Sequence, residues 1–286
     1  MIPSIPQPAY ARRLYTAYVV AFFVYLFAPL LVVGVLAFND SLFPALPWQG
    51  FTLDWFLSRG PRRVGLFHDQ GLLRGMATSA QVALWVAGLS VVVGTCSAFL
   101  FEQEEFPFKQ ALYALALTPL VIPGVILGIS ILLFSSTVAG TVERWSGVEV
   151  EALRPGLTLV VLGQFSFITT LATLIIAARL RKFDRSLEEA ALNLGASRGV
   201  AIWTVTLQFL RPALFGAGAV AFLMSFENFN TTLFLVGSDA TLPITMFISL
   251  RDGSTPVINA VSLVLMVGSA GIGLIGLFSG FHAKQP

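Results

Sequence analysis

The chain has 286 residues, of which 56% are hydrophobic and 11% are charged, and its formal net charge is +2. Soluble domains carry about 25% charged residues, so this composition argues against a soluble globular protein. The small net charge gives no reason to expect a nucleic-acid partner. With only two histidines and one cysteine, neither a metal cluster nor an internal disulfide is predicted.

Long uncharged runs, separated by charged segments, predict an all-α membrane protein, because about 20 apolar residues span a bilayer. The predicted transmembrane helices are six, at about 15–38, 76–101, 111–136, 156–178, 213–237 and 256–280. Residues 1–286 are interpreted as a single transmembrane domain. The first apolar stretch is too long for the core of a cleavable signal peptide, so it is expected to remain as a helix.

Basic residues indicate the orientation of these helices. Ten of the 17 Lys and Arg fall on the side that is cytoplasmic if both termini are, and seven fall on the other side. The positive-inside rule favours that arrangement. The chain is therefore predicted to be a multi-pass protein of the inner (cytoplasmic) membrane with both termini in the cytoplasm, and with outer loops at 39–75, 137–155 and 239–255.

The predicted third helix contains Pro119 and Pro123 in the stretch "TPLVIPG". Each proline removes a backbone hydrogen bond and bends the helix. Breaks of this kind are tolerated inside a membrane where they line protein or water. The two prolines are expected either to widen a translocation path or to fit the packing of the bundle.

Residues 186–208 form a charged segment on the cytoplasmic side. Ser186 and Glu189 fit a capping box at the start of a helix. The next side chains give one apolar stripe, made by Leu187, Ala190, Ala191 and Leu194. Gly195 is expected to end this helix in the left-handed conformation, and Ser197 to cap a second helix over 198–208. The exposed stripe predicts docking into a groove of another protein, the alternative being an ordinary amphipathic linker helix.

This segment resembles the EAA motif of the permease subunits of ABC importers. The chain has Glu189-Ala190-Ala191, then Gly195, then Val205-Thr206-Leu207, where the family pattern ends in Ile-x-Leu-Pro. Gln208 replaces that proline, which leaves the end of the second helix open. The resemblance implies a coupling helix that inserts into the nucleotide-binding subunit. The implied contact residues are Glu188, Glu189, Ala190, Ala191, Leu194, Gly195, Ala196 and Ser197.

Two further stretches, "LTPLVIPGVILGIS" and "LPITMFISLRDGSTPVINA", resemble the C-type permease of spermidine/putrescine importers, and the similarity covers about residues 20–280. The resemblance implies the type I ABC importer permease fold and import of a small organic cation, foremost a polyamine. It also implies as partners a homodimeric ABC ATPase, a second related permease, and a periplasmic or lipid-anchored solute-binding protein. The same architecture importing another small solute is the alternative.

Catalytic signatures are missing from the sequence. No phosphate-binding G-x-x-x-x-G-K-[ST] loop occurs, so no cofactor is expected in this chain, and ATP and Mg²⁺ are assigned to the partner ATPase. No catalytic residues are predicted, and the chain is not interpreted as an enzyme. An ion-coupled secondary transporter is a weaker alternative, since no internal repeat is visible.

Glu227 is the only ionisable residue within the predicted spans. A carboxylate in the bilayer is costly unless it faces protein or water. Together with Asn230 and Thr231 it is predicted to form a polar face of the fifth helix. The predicted substrate path comprises Phe226, Glu227, Asn228, Asn230 and Thr231, with Pro119 and Pro123. The family aligns an acidic pair where this chain has Glu227-Asn228. The alternative role of Glu227 is packing against a helix of the partner permease.

Overall fold

The computed structural model describes residues 8–44, 46–60, 63–253 and 256–282. The helices in chain order are α1 (Ala9–Leu36), α2 (Asp54–Leu57), α3 (Gln70–Gln103), α4 (Lys109–Val121), α5 (Gly124–Ser146), α6 (Leu157–Leu180), α7 (Ser186–Asn193), α8 (Arg198–Ala201), α9 (Leu207–Phe226), α10 (Thr232–Leu235), α11 (Leu242–Asp252) and α12 (Val257–His282). Strands β1 (Arg59–Gly60) and β2 (Arg63–Val64) form one antiparallel pair.

Within the described residues, five helical stretches are long and apolar enough to cross a membrane, and they are α1, α3, α5, α6 and the continuous stretch Arg198–Phe226. A shorter apolar run, Val257–Gly271, lies in α12. The all-α membrane fold predicted from the sequence is therefore confirmed. The first, second, fourth and sixth predicted helices correspond to α1, α3, α6 and α12.

The chain divides into two compact units, one formed by 1–69 with 249–267 and the other by 70–248 with 268–286. In the first unit, residues that follow α1 pack around Trp55, which is only 3% exposed. The indole Nε1 of Trp55 donates a hydrogen bond to the Asn39 carbonyl at 2.7 Å. Arg63 forms an ion pair with Asp40 and lies over the Trp55 ring, 5.3 Å from its centroid. The hydrogen bond that Arg63 donates to Asp40 raises the pKa of Arg63.

In the second unit, α3 packs along both α6 and α9. A close approach to α6 occurs at Gly94, where an added Cβ would lie 3.1 Å from the Cβ of Ala172. Buried apolar side chains from these helices form the core, among them Val82, Val86 and Ile168. Near the start of α3, the hydroxyl of Ser79 accepts a hydrogen bond from the Leu242 N–H at 2.9 Å.

The predicted third helix, 111–136, is wrong as one continuous element. The chain leaves helical geometry at Ile122 and Pro123 and then begins α5, which runs to Ser146, inside the predicted outer loop 137–155. Pro123 causes the interruption, because it has no N–H and its ring disfavours helical geometry at the preceding residue. We call residues 122–123 the α4–α5 break.

The predicted fifth helix, 213–237, is also wrong in its bounds. It begins far earlier, at Arg198, continues through a π-helical turn at 202–206, and ends at Phe226. Residues 227–231 are not helical, and we call them the α9–α10 break. The side-chain oxygen of Asn228 accepts a hydrogen bond from the Thr232 N–H, a local contact that competes with helix. The predicted outer loop 239–255 in turn contains α11.

Candidate functional site

The α9–α10 break lies against the start of α5, which directly follows the α4–α5 break. The hydroxyl of Thr231 donates a hydrogen bond to the carbonyl of Gly124, the first residue of α5, at 3.3 Å. One turn later, an added Cβ on Gly128 would lie 2.8 Å from the Thr231 carbonyl oxygen. The non-helical backbone of the α9–α10 break thus packs against the first turns of α5, and glycines on α5 allow this approach.

A buried polar network holds the α9–α10 break in place. Gln164 on α6 is fully buried, and its Nε2 donates to the hydroxyl of Thr232 at 2.8 Å. Its Oε1 accepts a hydrogen bond from the hydroxyl of Ser225. The Thr232 hydroxyl donates in turn to the Oδ1 of Asn228 at 3.0 Å. Buried polar groups need partners of this kind, so the network fixes the backbone where α9 stops.

Glu227 is exposed and lies at the C-terminal end of α9, where its N–H donates to the Leu223 carbonyl at 3.1 Å. The last carbonyls of a helix carry a partial negative charge. The ion pairs found among the described residues do not include Glu227. The C-terminal end of α9 and the Glu227 carboxylate therefore both contribute to a negative electrostatic potential at this position.

The structure brings together some of the predicted path residues. Asn230 and Thr231 lie against the start of α5 beside Pro123, and an added Cβ on Gly124 would lie 3.1 Å from the Cβ of Asn230. The predicted helical face shared by Glu227, Asn230 and Thr231 is wrong, because these residues lie in the break. Thr231 is buried, whereas Asn230 is exposed.

Two further path residues lie outside the break. Pro119 is inside α4, beside a cavity between α3, α4 and α6 that Thr169 and Thr170 also line. The Phe226 ring stacks on Phe222 along α9, with 5.8 Å between the ring centroids.

The start of the coupling segment, residues 186–208, differs from the prediction. The capping box of Ser186 and Glu189 is wrong, because Ser186 is already the first residue of α7 and Glu189 is exposed. Asp184 has the capping role, since its Oδ1 accepts a hydrogen bond from the Ser186 N–H at 3.0 Å. Hydrogen bonds from the Ser186 side chain and backbone lower the pKa of Asp184.

The turn inside the coupling segment is as predicted. Gly195 has φ +91°, so its left-handed conformation is confirmed. Ser197 caps the second helix, because its hydroxyl accepts a hydrogen bond from the Val200 N–H at 3.4 Å. The predicted end of that helix at residue 208 is wrong, and the chain stays helical to Phe226. Gln208, unlike a proline, supplies an N–H for this continuation.

The apolar stripe of α7 is largely exposed. Leu187 is 52% exposed and Leu194 is 90% exposed, Ala190 is exposed, and Ala191 is half-buried. Glu188 has a different environment, because its Oε2 accepts a hydrogen bond from the hydroxyl of Thr206 at 3.2 Å. α7 is thereby tied to the π-helical turn and presents its leucines outward. Ala196 is half-buried beyond the turn.

Two contacts at these sites were not predicted from the sequence. One is Gln164, a lone amide in an otherwise apolar run, which was a usable signal for a buried polar network. The other is Glu102 at the end of α3, which pairs with Arg181 at 2.7 Å. Because 79 residues separate them in sequence, no local pattern reveals that contact.

Comparisons with known proteins agree with this architecture. The chain is 30% identical over 252 residues to the putrescine transport system permease protein PotI of Escherichia coli K12, covering 87% of this chain and 84% of the relative. It is 25% identical to the spermidine/putrescine permease protein PotC of Haemophilus influenzae, covering 88% and 90%. No family model matches the chain.

Among solved structures, the chain resembles a bacterial alginate ABC transporter crystallised with a periplasmic protein that binds an alginate pentasaccharide. The TM-score is 0.71 with 17% identity, over 96% of this chain and 95% of that chain. At this identity the likeness shows the fold.

The chain therefore belongs to the family of ABC importer permease subunits. Within that family it is related to the branch that includes PotI and PotC. It is a multi-pass inner-membrane transport subunit and not an enzyme. Permease subunits of this family bind no cofactor themselves and work within a larger importer.

Proposed function

We propose that this permease subunit imports a polyamine such as spermidine or putrescine by alternating access. The observation that carries the substrate class is Glu227, an exposed carboxylate at the C-terminal end of α9. A polyamine must lose water around its ammonium groups to enter the membrane, and a carboxylate offsets that cost. The names of the PotI and PotC relatives support the same substrate class.

The depth of the two breaks supports a path through them. α4 has 13 residues before its break, which corresponds to a rise of roughly 20 Å. From Ala213, just after Arg211, α9 rises roughly 21 Å to Glu227. In a hydrocarbon core of about 30 Å, both breaks then lie well inside the membrane. Non-helical backbone at such depth is tolerated where it lines a cavity.

The substrate test uses the assembled importer in liposomes, with uptake of radiolabelled putrescine and spermidine as the readout. Glu227→Gln keeps the shape and removes the charge, so uptake should fall markedly while assembly stays unchanged. Glu105→Gln neutralises an exposed glutamate of the loop between α3 and α4 and should leave uptake unchanged. Normal uptake by Glu227→Gln, with loss of assembly in Glu227→Leu, would make Glu227 a packing residue.

Asn228→Asp is an independent check on the same site. Its Oδ1 only accepts hydrogen bonds, from the N–H and hydroxyl of Thr232, so a carboxylate preserves both contacts. Uptake of a diamine should be maintained or raised, and uptake of a neutral solute should not change. A fall in diamine uptake would count against a cation path here.

We further propose that the coupling segment docks on a homodimeric ABC ATPase, which binds ATP and Mg²⁺. The exposed Leu187 and Leu194 are the apolar contacts of that docking surface. Gly195→Val should impair ATP hydrolysis coupled to transport, because a β-branched residue resists φ +91°. Gly199→Val is the matched control, since Gly199 has open space around it and no positive φ. Equal coupling in both assembled variants would show that the contact is misplaced.

The remaining partners of the proposal are a second, related permease and a periplasmic or lipid-anchored solute-binding protein. A pair of permeases encloses a path that a single helix bundle leaves open. The proposal also has both termini of this chain in the cytoplasm. A purified functional complex with two copies of this chain and no other permease would contradict the distinct partner. Initial selection of the solute is assigned to the binding protein, so the affinity of that protein for the solute should not change when the permease carries Glu227→Gln.

A further inference from the structure

Glu102, one residue before the end of α3, binds the stretch that leads into the coupling segment. Arg181 donates to the Oε1 of Glu102 from both Nε, at 2.8 Å, and Nη2, at 2.7 Å. Arg185 donates from Nη2 to the backbone carbonyl of Glu102 at 3.0 Å. Both arginines lie in the short connection between α6 and α7, so the coupling segment is attached to α3 immediately before it begins.

The carboxylate of this ion pair is better shielded from water than the carboxylates of the other ion pairs among the described residues. The Glu102 side chain is 17% exposed, the lowest value among the paired carboxylates. Glu105, three residues later, is 89% exposed and, among the described residues, pairs only with Lys109 at the start of α4. Exposed pairs contribute little, whereas shielding from water strengthens a charge pair. The hydrogen bond and charge of Glu102 raise the pKa of Arg181, which stays charged.

The helix that carries Glu102 is suited to transmit a displacement. α3 has 34 residues and no proline, so it is a continuous rod of roughly 51 Å. It packs along α6 and α9. In the half of α3 that is remote from Glu102, Ser79 accepts the hydrogen bond from the N–H of Leu242 at the start of α11.

We propose that Glu102 is the positioning residue through which movement of the coupling segment is passed to α3. When the coupling segment moves with the ATPase, Arg181 and Arg185 displace Glu102, and α3 moves with it. This inference rests on the proposed coupling role of residues 186–208. Glu102 touches neither substrate nor nucleotide and acts only through Arg181 and Arg185.

The test measures substrate transported per ATP hydrolysed in the full importer in liposomes. Glu102→Gln should lower this ratio by between about twofold and thirtyfold, the range for residues that carry coupling between sites. The charge swap Glu102→Arg with Arg181→Glu should restore at least half of the wild-type ratio. Glu105→Gln, the matched control three residues further along the chain, should leave the ratio unchanged.

An unchanged ratio in assembled Glu102→Gln would overturn the proposal, even if less complex is obtained, because a purely structural role lowers transport and hydrolysis together. If Glu102→Gln yields no complex, Arg181→Gln decides by the same ratio. Gly195→Val, measured in parallel, separates the two proposals. A wild-type ratio in Gly195→Val contradicts the coupling role of residues 186–208. A lowered ratio in Gly195→Val together with an unchanged ratio in Glu102→Gln contradicts only the role of Glu102.

Discussion

Helix α3 and the two broken helices satisfy the hydrogen-bonding needs of their backbone groups in different ways. α3 stays continuous and brings its neighbours close through small buried residues such as Ser90 and Gly94. At the α9–α10 break, a backbone group is paired by a side chain instead, as the Thr232 N–H is by the Oδ1 of Asn228. Inside a membrane, an unpaired backbone polar group is costly, and both arrangements avoid that cost.

The difference agrees with the two proposals made above, in which α3 transmits movement and the breaks line the substrate path. A continuous helix has its backbone groups bonded to one another and moves as a unit. A break held by side chains presents irregular backbone and polar side chains, and it depends on a few hydrogen bonds. The contrast can be tested by removing either the side chains that hold the breaks or the small residues beside α3.

The largest effect is expected at Gln164. Gln164→Leu leaves the buried hydroxyl of Ser225 without its acceptor, at about 1–3 kcal/mol, and removes the donor to the Thr232 hydroxyl, which keeps its bond to Asn228. The variant should unfold at a clearly lower temperature in detergent, measured by a thermal shift assay. Gln110→Leu, on an exposed position of α4, is the control and should unfold like the wild type. Equal unfolding temperatures would show that the break does not need the network.

The close approach of α5 to the α9–α10 break predicts a smaller loss of stability for Gly128→Ala. The new methyl group would lie 2.8 Å from the Thr231 carbonyl oxygen, and separating α5 from the break should cost about 1–3 kcal/mol. Gly140→Ala is a control on the same helix, because an added Cβ there meets nothing within 4 Å. Thermal unfolding of the two variants side by side checks this, and indistinguishable curves would contradict the close approach.

For the continuous helix α3, Gly94→Ala should cost about 1 kcal/mol, because Ala172 and the backbone N of Thr173 have to shift by only a few tenths of an ångström. Gly88→Ala, on an exposed part of α3 with open space around it, should be neutral. The same unfolding measurement applies. A loss at Gly94 larger than at Gly128 would reverse the order of sensitivity between the two regions.

The smallest effect is expected at Asp184, outside the membrane. Asp184→Ala removes the acceptor for the Ser186 N–H, so the first turn of α7 should exchange its amide hydrogens faster. Because the pKa of Asp184 is lowered in the folded chain, this support is present above its ordinary value of 3.8 and is lost as the pH falls through the folded value. Hydrogen–deuterium exchange of residues 186–189 measures it, with Asp239→Ala as the control.

Local chemistry accounts for what could be predicted from the sequence. The left-handed Gly195 and the capping Ser197 follow from residue type and spacing, and both are found. The apolar runs place most helices within a few residues. The breaks could not be read in this way, because 227–231 is as compatible with helix as its neighbours. What stops α9 is a buried partner on α6, Gln164, which lies 61 residues away from Ser225.

The EAA resemblance located the coupling segment but not its support. Ser186 was predicted to cap α7 because serine and glutamate at this spacing usually do so. Asp184 competes for the same N–H and has the role instead. Glu102 lies at the end of an apolar run, where a charged residue usually meets water. Only the fold reveals that Arg181 covers it.

The π-helical turn at 202–206 has a consequence for insertions and deletions. The Leu207 N–H bonds to the Ile202 carbonyl, five residues back, so one extra residue is accommodated within a single wide turn. Deleting one residue inside this turn should restore ordinary α-helix and leave both flanking stretches facing as before. A deletion elsewhere between Arg198 and Phe226 would rotate Glu227 by about 100° relative to Gly195. Homologous chains are therefore expected to differ in length by one residue at this turn, and not along the rest of the helix.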